Sequence, residues 1–148
     1  DPGIARQLTD MLVTVTGPEG TARRAAISGY LVAGKSGTSR KAGAGGYDRR
    51  YVSLFAGLVP ATQPLFAVVV MVDDPKSRDA AGNLVYYGGA VAAPVFQSVM
   101  GGAMRLLDVV PDDIQALYAA SAPMRAPSTA GTLPPEAESV PGLFEATP

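Results

Sequence analysis

The sequence contains no cysteine and no histidine. Without cysteine there is no disulfide framework, no thiolate nucleophile and no thiolate-bound metal. Without histidine a Ser-His-Asp relay cannot be assembled from this chain, and neither can a histidine-ligated zinc centre. Any general base it holds is therefore a lysine or a carboxylate. Long apolar runs are missing too: the longest, Leu65 to Val72, is far shorter than the ~20 residues a membrane-spanning helix needs. Net charge is small, −1 with a pI near 5.3, so the chain as a whole has no electrostatic reason to bind nucleic acid or a membrane surface.

What is present is unevenly spread. Seven of the 13 prolines lie from Pro111 onward, so the 148 residues hold one domain whose packed part is smaller than the length implies. Charge is clustered as well. Arg23, Arg24, Lys35, Arg40, Lys41, Arg49 and Arg50 face the single Asp48 between residues 23 and 50.

In chain order, Asp1 and Pro2 read as the cap and first residue of a helix: aspartate accepts from orphan N–H groups, and proline has no N–H to waste there. Ile4, Leu8, Met11, Leu12 and Val15 form one apolar face, and Gly17-Pro18 ends the helix. An amphipathic helix with almost no chain before it leads us to expect that the natural protein continues upstream. Tyr30 to Lys41 reads as a strand and Ala42 to Gly46 as a glycine-rich loop. Tyr51 to Val59 alternates as a half-buried strand, and Leu65 to Val72 is a continuously apolar strand. Burying both faces of that last strand calls for a central place in a sheet with helices against it. Short links make the neighbouring strands antiparallel. Lys76 to Val85 is a charged, flexible connection. A second helix then follows, with Val91, Val95, Val99, Ala103 and Leu106 at helical spacing, Phe96 and Met100 widening the stripe, and Pro94 in the first turn. The fold class is α+β, an antiparallel sheet covered by helices. We expect order over residues 1–110 and a mostly disordered Pro/Ala/Ser-rich tail over 111–148.

The chemistry concentrates at Gly34-Lys35-Ser36-Gly37-Thr38. Gly29 to Ser36 matches the phosphate-loop pattern G-x-x-x-x-G-K-S, which would make this a nucleotide-binding protein. The mechanics oppose it. A phosphate loop runs into a helix whose N-terminus faces the anion, whereas Tyr30 to Ala33 favour a sheet and Gly37 to Gly46 cannot form a helix. Read instead as an exposed strand, the same residues bind a carboxylate. Lys35 supplies a charge, Ser36 and Thr38 supply donors, and the glycines let a peptide-like ligand lie against the backbone. The plain alternative is a surface lysine in a glycine-rich hairpin. Asp73, Asp74, Asp79 and Asn83 do not have the spacing of a calcium loop, so no metal or other cofactor is expected.

The pattern extends beyond these residues. Val32 to Thr38, then Tyr51-Val52-Ser53-Leu54-Phe55-Ala56-Gly57, then the apolar strand ending in Asp73-Asp74-Pro75, then Tyr87-Gly88-Gly89 and Ala93-Pro94-Val95-Phe96 follow one another in a recognisable order. Together they resemble the C-terminal part of the transpeptidase domain of class B penicillin-binding proteins, especially the division-specific penicillin-binding protein 3 group. Lys35-Ser36-Gly37-Thr38 is similar to the Lys-Thr/Ser-Gly motif of that family and of the serine β-lactamases.

The resemblance implies a D,D-transpeptidase that cross-links peptidoglycan stem peptides in septal cell-wall synthesis and is acylated by β-lactams. It places Lys35 in the polar network around the nucleophile, Ser36, Gly37 and Thr38 at the substrate carboxylate, and the Thr38 N–H in the oxyanion hole. It puts Tyr86 and Tyr87 beside the cleft, although packing at a helix start is an alternative role for that pair. It implies a periplasmic domain on a single inner-membrane anchor and divisome partners that include a lipid II glycosyltransferase. The departure from the family is equally plain. No serine here has lysine three residues on, and Ala81 precedes the lone Asn83 where Ser-x-Asn would need serine. The chain alone is therefore expected to be inactive, with Ser-x-x-Lys and Ser-x-Asn supplied by an upstream segment. Ser36 has no base of its own with which to replace that nucleophile. A non-catalytic module that binds cell-wall peptides is the remaining alternative.

Overall fold

Residues 1–43 and 45–115 are described by a computed structural model of the chain. Asp1 caps helix α1 (Pro2–Val13) as its sequence predicts: Oδ1 accepts from the N–H of Gly3 at 2.7 Å and of Ile4 at 3.4 Å. A 3-10 turn, Thr14–Thr16, carries the chain to Gly17. The first part of the apolar stripe of α1 is exposed among the described residues, with Ile4, Leu8 and Met11 largely open to solvent, whereas Leu12 and Val15 are half-buried.

Three antiparallel strands follow, β1 (Ala33–Gly43), β2 (Gly46–Val59) and β3 (Phe66–Asp73), in the order β1-β2-β3. Lys35, Ala56 and Val69 stand in one row across the sheet, and Ser36, Phe55 and Val70 in the next. Two expectations need correcting. The glycine-rich stretch is a strand hairpin, with Ala42 paired to Tyr47 and Gly43 to Gly46. Glycine's entropy cost excludes a helix there but not a ladder. The turn is further held by Arg40 Nε donating to the Asp48 carbonyl at 3.0 Å and by the Arg50–Asp48 ion pair. The second correction concerns β3, which is an edge strand among the described residues and is covered on one face. Its residues alternate between half-buried and exposed, and Val69 and Met71 are 67% and 66% exposed.

Helix α2 (Gly88–Leu106) lies across the other face of the sheet. The predicted stripe is rotated. Ala92, Ala93, Phe96, Met100 and Met104 are buried, whereas Val95, Val99 and Leu106 are exposed. A helix apolar nearly all round gives no unique stripe, and the aromatic contact decides: Phe96 meets Phe55 edge to face at 5.0 Å. Gly34 and Gly57 make room for these rings, since a Cβ on either would overlap Phe55 or Phe96. Pro94 also sits deeper than predicted, beyond the first turn. Its missing N–H leaves the Ala90 carbonyl without its usual donor, and Arg24 Nη1 supplies one at 3.0 Å.

After α2 the chain returns to the sheet's end. The Asp112 carboxylate accepts from the Leu31 N–H (2.8 Å) and from the N–H and hydroxyl of Thr62 (3.1 and 2.8 Å), tying two turns together. Residues 116–148, where most of the predicted tail falls, lie outside the described residues. Residues 76–85 are more ordered than predicted: Arg78 bridges to Leu84, and the Val85 N–H donates to the Ser77 carbonyl.

Candidate active site

Lys35, Ser36, Gly37 and Thr38 all lie within β1, the edge strand whose outer side carries no described strand. Alternation along a strand sends Lys35 and Gly37 to one face and Ser36 and Thr38 to the other. An extended ligand laid along this edge therefore meets side chains from both faces together with the backbone between them. Lys35 is exposed on the open face, in the row of Ala56 and Val69, and its ammonium donates to the Ser36 carbonyl at 2.6 Å.

On the covered face, β1 meets the turn leading into α2. The Thr38 hydroxyl accepts from the Gly88 N–H at 3.0 Å. Opposite Thr38, the fully buried Ser53 donates to the Tyr86 carbonyl. Tyr86 stacks on Tyr51 with centroids 3.9 Å apart and also meets Tyr87 at 4.7 Å. A hydrogen bond with Tyr87 and the nearby phenols of Tyr87 and Tyr51 push the Tyr86 phenol up to about 12, so it remains protonated, and a donor, at physiological pH. Tyr87 is 62% exposed. Ser36 Oγ lies 3.4 Å from Thr21 Oγ1, at the edge of the same unit.

The phosphate-loop reading fails on this geometry. Lys35 and Ser36 belong to a strand that continues to Gly43, so no helix N-terminus follows them. The basic cluster is largely absorbed by the fold: Arg24 and Arg40 serve carbonyls, Lys41 pairs with Asp73 at 2.7 Å, and Arg50 pairs with Asp48. Asp79 is engaged by its own loop, accepting from the N–H groups of Ala81 and Asn83 and from the Asn83 amide, contacts that lower its pKa.

Comparison with known proteins supplies what the geometry leaves open. Residues 1–101 match the model of the penicillin-binding protein transpeptidase domain. The chain belongs to that family. It is 46% identical over 110 residues to the peptidoglycan D,D-transpeptidase FtsI of Escherichia coli K12, covering 74% of this chain and 18% of that protein. It is also 46% identical over 117 residues to the probable peptidoglycan D,D-transpeptidase PbpC of Pseudomonas aeruginosa, covering 78% and 20%. The chain thus spans about a fifth of the length of these curated relatives. Among solved structures, the transpeptidase domain of Burkholderia pseudomallei penicillin-binding protein 3 superposes with a TM-score of 0.64 at 40% identity, covering 76% of this chain and 32% of that one. A mycobacterial penicillin-binding protein 3 complexed with ampicillin gives 0.61 at 29% identity, covering 72% and 25%. The α+β class and the resemblance drawn from the sequence both stand.

Within the transpeptidase fold, the four motif residues and the Tyr86-Tyr87 pair come together at one strand edge and the turn beside it. Sequence reasoning missed Thr21 as a site residue, and saw Tyr51, Ser53 and Gly88 only as parts of a resemblance. Ser53 did leave a signal: it is the one small polar side chain among the residues Tyr51, Ser53, Phe55, Gly57 and Val59 that share a strand face. Thr21 left none, because its role depends on a contact between separate turns.

Proposed function

We propose that this chain provides the substrate-binding wall of a peptidoglycan D,D-transpeptidase that is acylated by β-lactams. The observation that carries the proposal is the placement of Lys35-Ser36-Gly37-Thr38 on an open strand edge, next to the aromatic turn at Tyr86-Tyr87, in a chain of this family. The substrate is a stem peptide with a terminal carboxylate. The edge of β1 receives its backbone, Ser36 and Thr38 donate to the carboxylate, and the Thr38 N–H contributes to the oxyanion hole. Lys35, on the open face, is directed toward the polar network of a nucleophile that this chain does not contain. A segment carrying Ser-x-x-Lys and Ser-x-Asn completes the site.

The domain works in the periplasm on a membrane-anchored protein, in septal synthesis beside divisome proteins and a lipid II glycosyltransferase. Among the described residues no helix is long and apolar enough to cross a membrane.

Fluorescent penicillin tests the reading. The full-length protein is labelled on its Ser-x-x-Lys serine, and Lys35→Ala abolishes labelling while leaving the fold intact. This chain alone is not labelled. Covalent label on Ser36 or Ser39 overturns the proposal, and peptide binding without acylation of the full-length protein identifies a non-catalytic binding module instead.

A further inference from the structure

We propose that Gly88, at the N-terminus of α2, is a positioning residue for the carboxylate-binding hydroxyls of β1. This inference rests on the transpeptidase reading above. A threonine hydroxyl has one hydrogen and two acceptor sites. By accepting from the Gly88 N–H at 3.0 Å, Thr38 Oγ1 uses an acceptor site on the helix and keeps its hydrogen for a ligand. The donor comes from the first turn of a 19-residue helix, where N–H groups have no intrahelical partner and carry partial positive charge. Hydrogen bonds in series polarise one another, so an oxygen that accepts from such an amide is a stronger donor to an anion.

The helix end is held too firmly for this contact to be incidental. A Cβ on Gly88 would collide with the carbonyls of Gly37 and Leu54, and one on Gly89 would collide with the Thr21 carbonyl. Glycine at both positions lets the start of α2 lie directly against the β1–β2 backbone and the Thr21 turn. Ser53 fixes the preceding Tyr86 carbonyl, and Arg24 fixes the Ala90 carbonyl two residues beyond Gly88. Thr21, which seats Gly89, reaches Ser36 Oγ at 3.4 Å. One helix end thus orders both hydroxyls of the motif without itself touching the ligand. The ligand class is a carboxylate at the end of an extended peptide or on a β-lactam nucleus.

The test compares acylation of the full-length protein by benzylpenicillin and by its methyl ester, in wild type, Gly88→Ala, Thr38→Ser and Thr38→Val. The expected result is that wild type and Thr38→Ser favour the free carboxylate, whereas Gly88→Ala and Thr38→Val lose acylation by benzylpenicillin about tenfold to a hundredfold, the worth of a hydrogen bond to a charged group. In both variants the reaction with the ester, which has no free carboxylate to hold, falls less than the reaction with benzylpenicillin. An equal fall with both compounds in Thr38→Val overturns the inference, because the hydroxyl that Gly88 positions would then not serve the carboxylate.

Since a side chain at Gly88 can also unseat the helix, a second measurement uses the wild type. The Gly88 amide proton should move downfield on acylation by benzylpenicillin and less on acylation by the ester. An unmoved Gly88 resonance overturns the inference alone. Failure of wild type to react with either compound overturns the transpeptidase reading, and this inference with it.

Discussion

The two faces of the sheet differ more than their sequences do. On one, Phe55 and Val59 are fully buried against Phe96 and Met104 of α2. On the other, Lys35, Ala56, Val69 and Met71 are exposed in adjoining rows, although three of the four are apolar. Hydrophobicity therefore does not say which face folds this chain. The face with glycines at Gly34 and Gly57 admits the aromatic rings and becomes the core. The face with the lysine stays open. Within β1, Gly34 serves the core and its neighbour Lys35 the open face, through the alternation of a strand.

This contrast can be broken by mutation, and the largest effect should come from the core. Phe96→Ala is expected to destabilise the chain by about 3–5 kcal/mol in a urea titration. Val69→Ala, on the open face, should stay within about 0.5 kcal/mol of wild type. Equal losses would mean that the faces are not energetically distinct. A sharper version stays within one strand. Gly34→Ala puts a methyl 2.8 Å from the Ala56 carbonyl and into the Phe55 ring, and should cost about 1–3 kcal/mol. Gly37→Ala points to the other face, 3.5 Å from Leu54 Cβ, and should be tolerated.

Smaller effects test how the start of α2 is held against the covered face. Arg24→Met leaves the Ala90 carbonyl without its donor and should cost about 1 kcal/mol. In a Pro94→Ala background, where the helix again supplies the missing N–H, that cost should disappear in a double-mutant cycle. The smallest effect belongs to the rim. Lys76 donates to Asp74 at 2.7 Å and holds its carboxyl below the ordinary 3.8. Because the folded-state value is depressed, the stabilisation is present above pH 3.8 and disappears as pH falls through the lower, folded-state value. The melting temperatures of wild type and Lys76→Gln should differ slightly at neutral pH and converge in acid.

Much of the site was legible because its parts are local. Gly34 to Thr38 reads as a strand with an exposed lysine and two hydroxyls through nearest-neighbour chemistry alone, and the Asp1 cap and the three strands are legible in the same way, whereas the reading of Gly34 to Thr38 as a carboxylate site came from the family resemblance. What was misread depends on contacts distant in sequence. The rotation of α2 depends on Phe55, 41 residues before Phe96 in the chain. The depth of Pro94 in its helix is accommodated by Arg24 from another turn. The link from Thr38 to Gly88 spans 50 residues.

The sequence by itself determined that this chain builds an antiparallel α+β unit with a Lys-Ser-Gly-Thr edge and holds no cysteine, histidine or Ser-x-x-Lys with which to attack. Those are matters of which groups exist and of local backbone preference. Only the tertiary structure decided which apolar face is buried, that β3 keeps one side open, and that the first amide of α2 reaches the Thr38 hydroxyl. Apolar area favours burial without direction, so the choice of face and neighbour falls to close packing and hydrogen bonding, and these exist only once the elements meet.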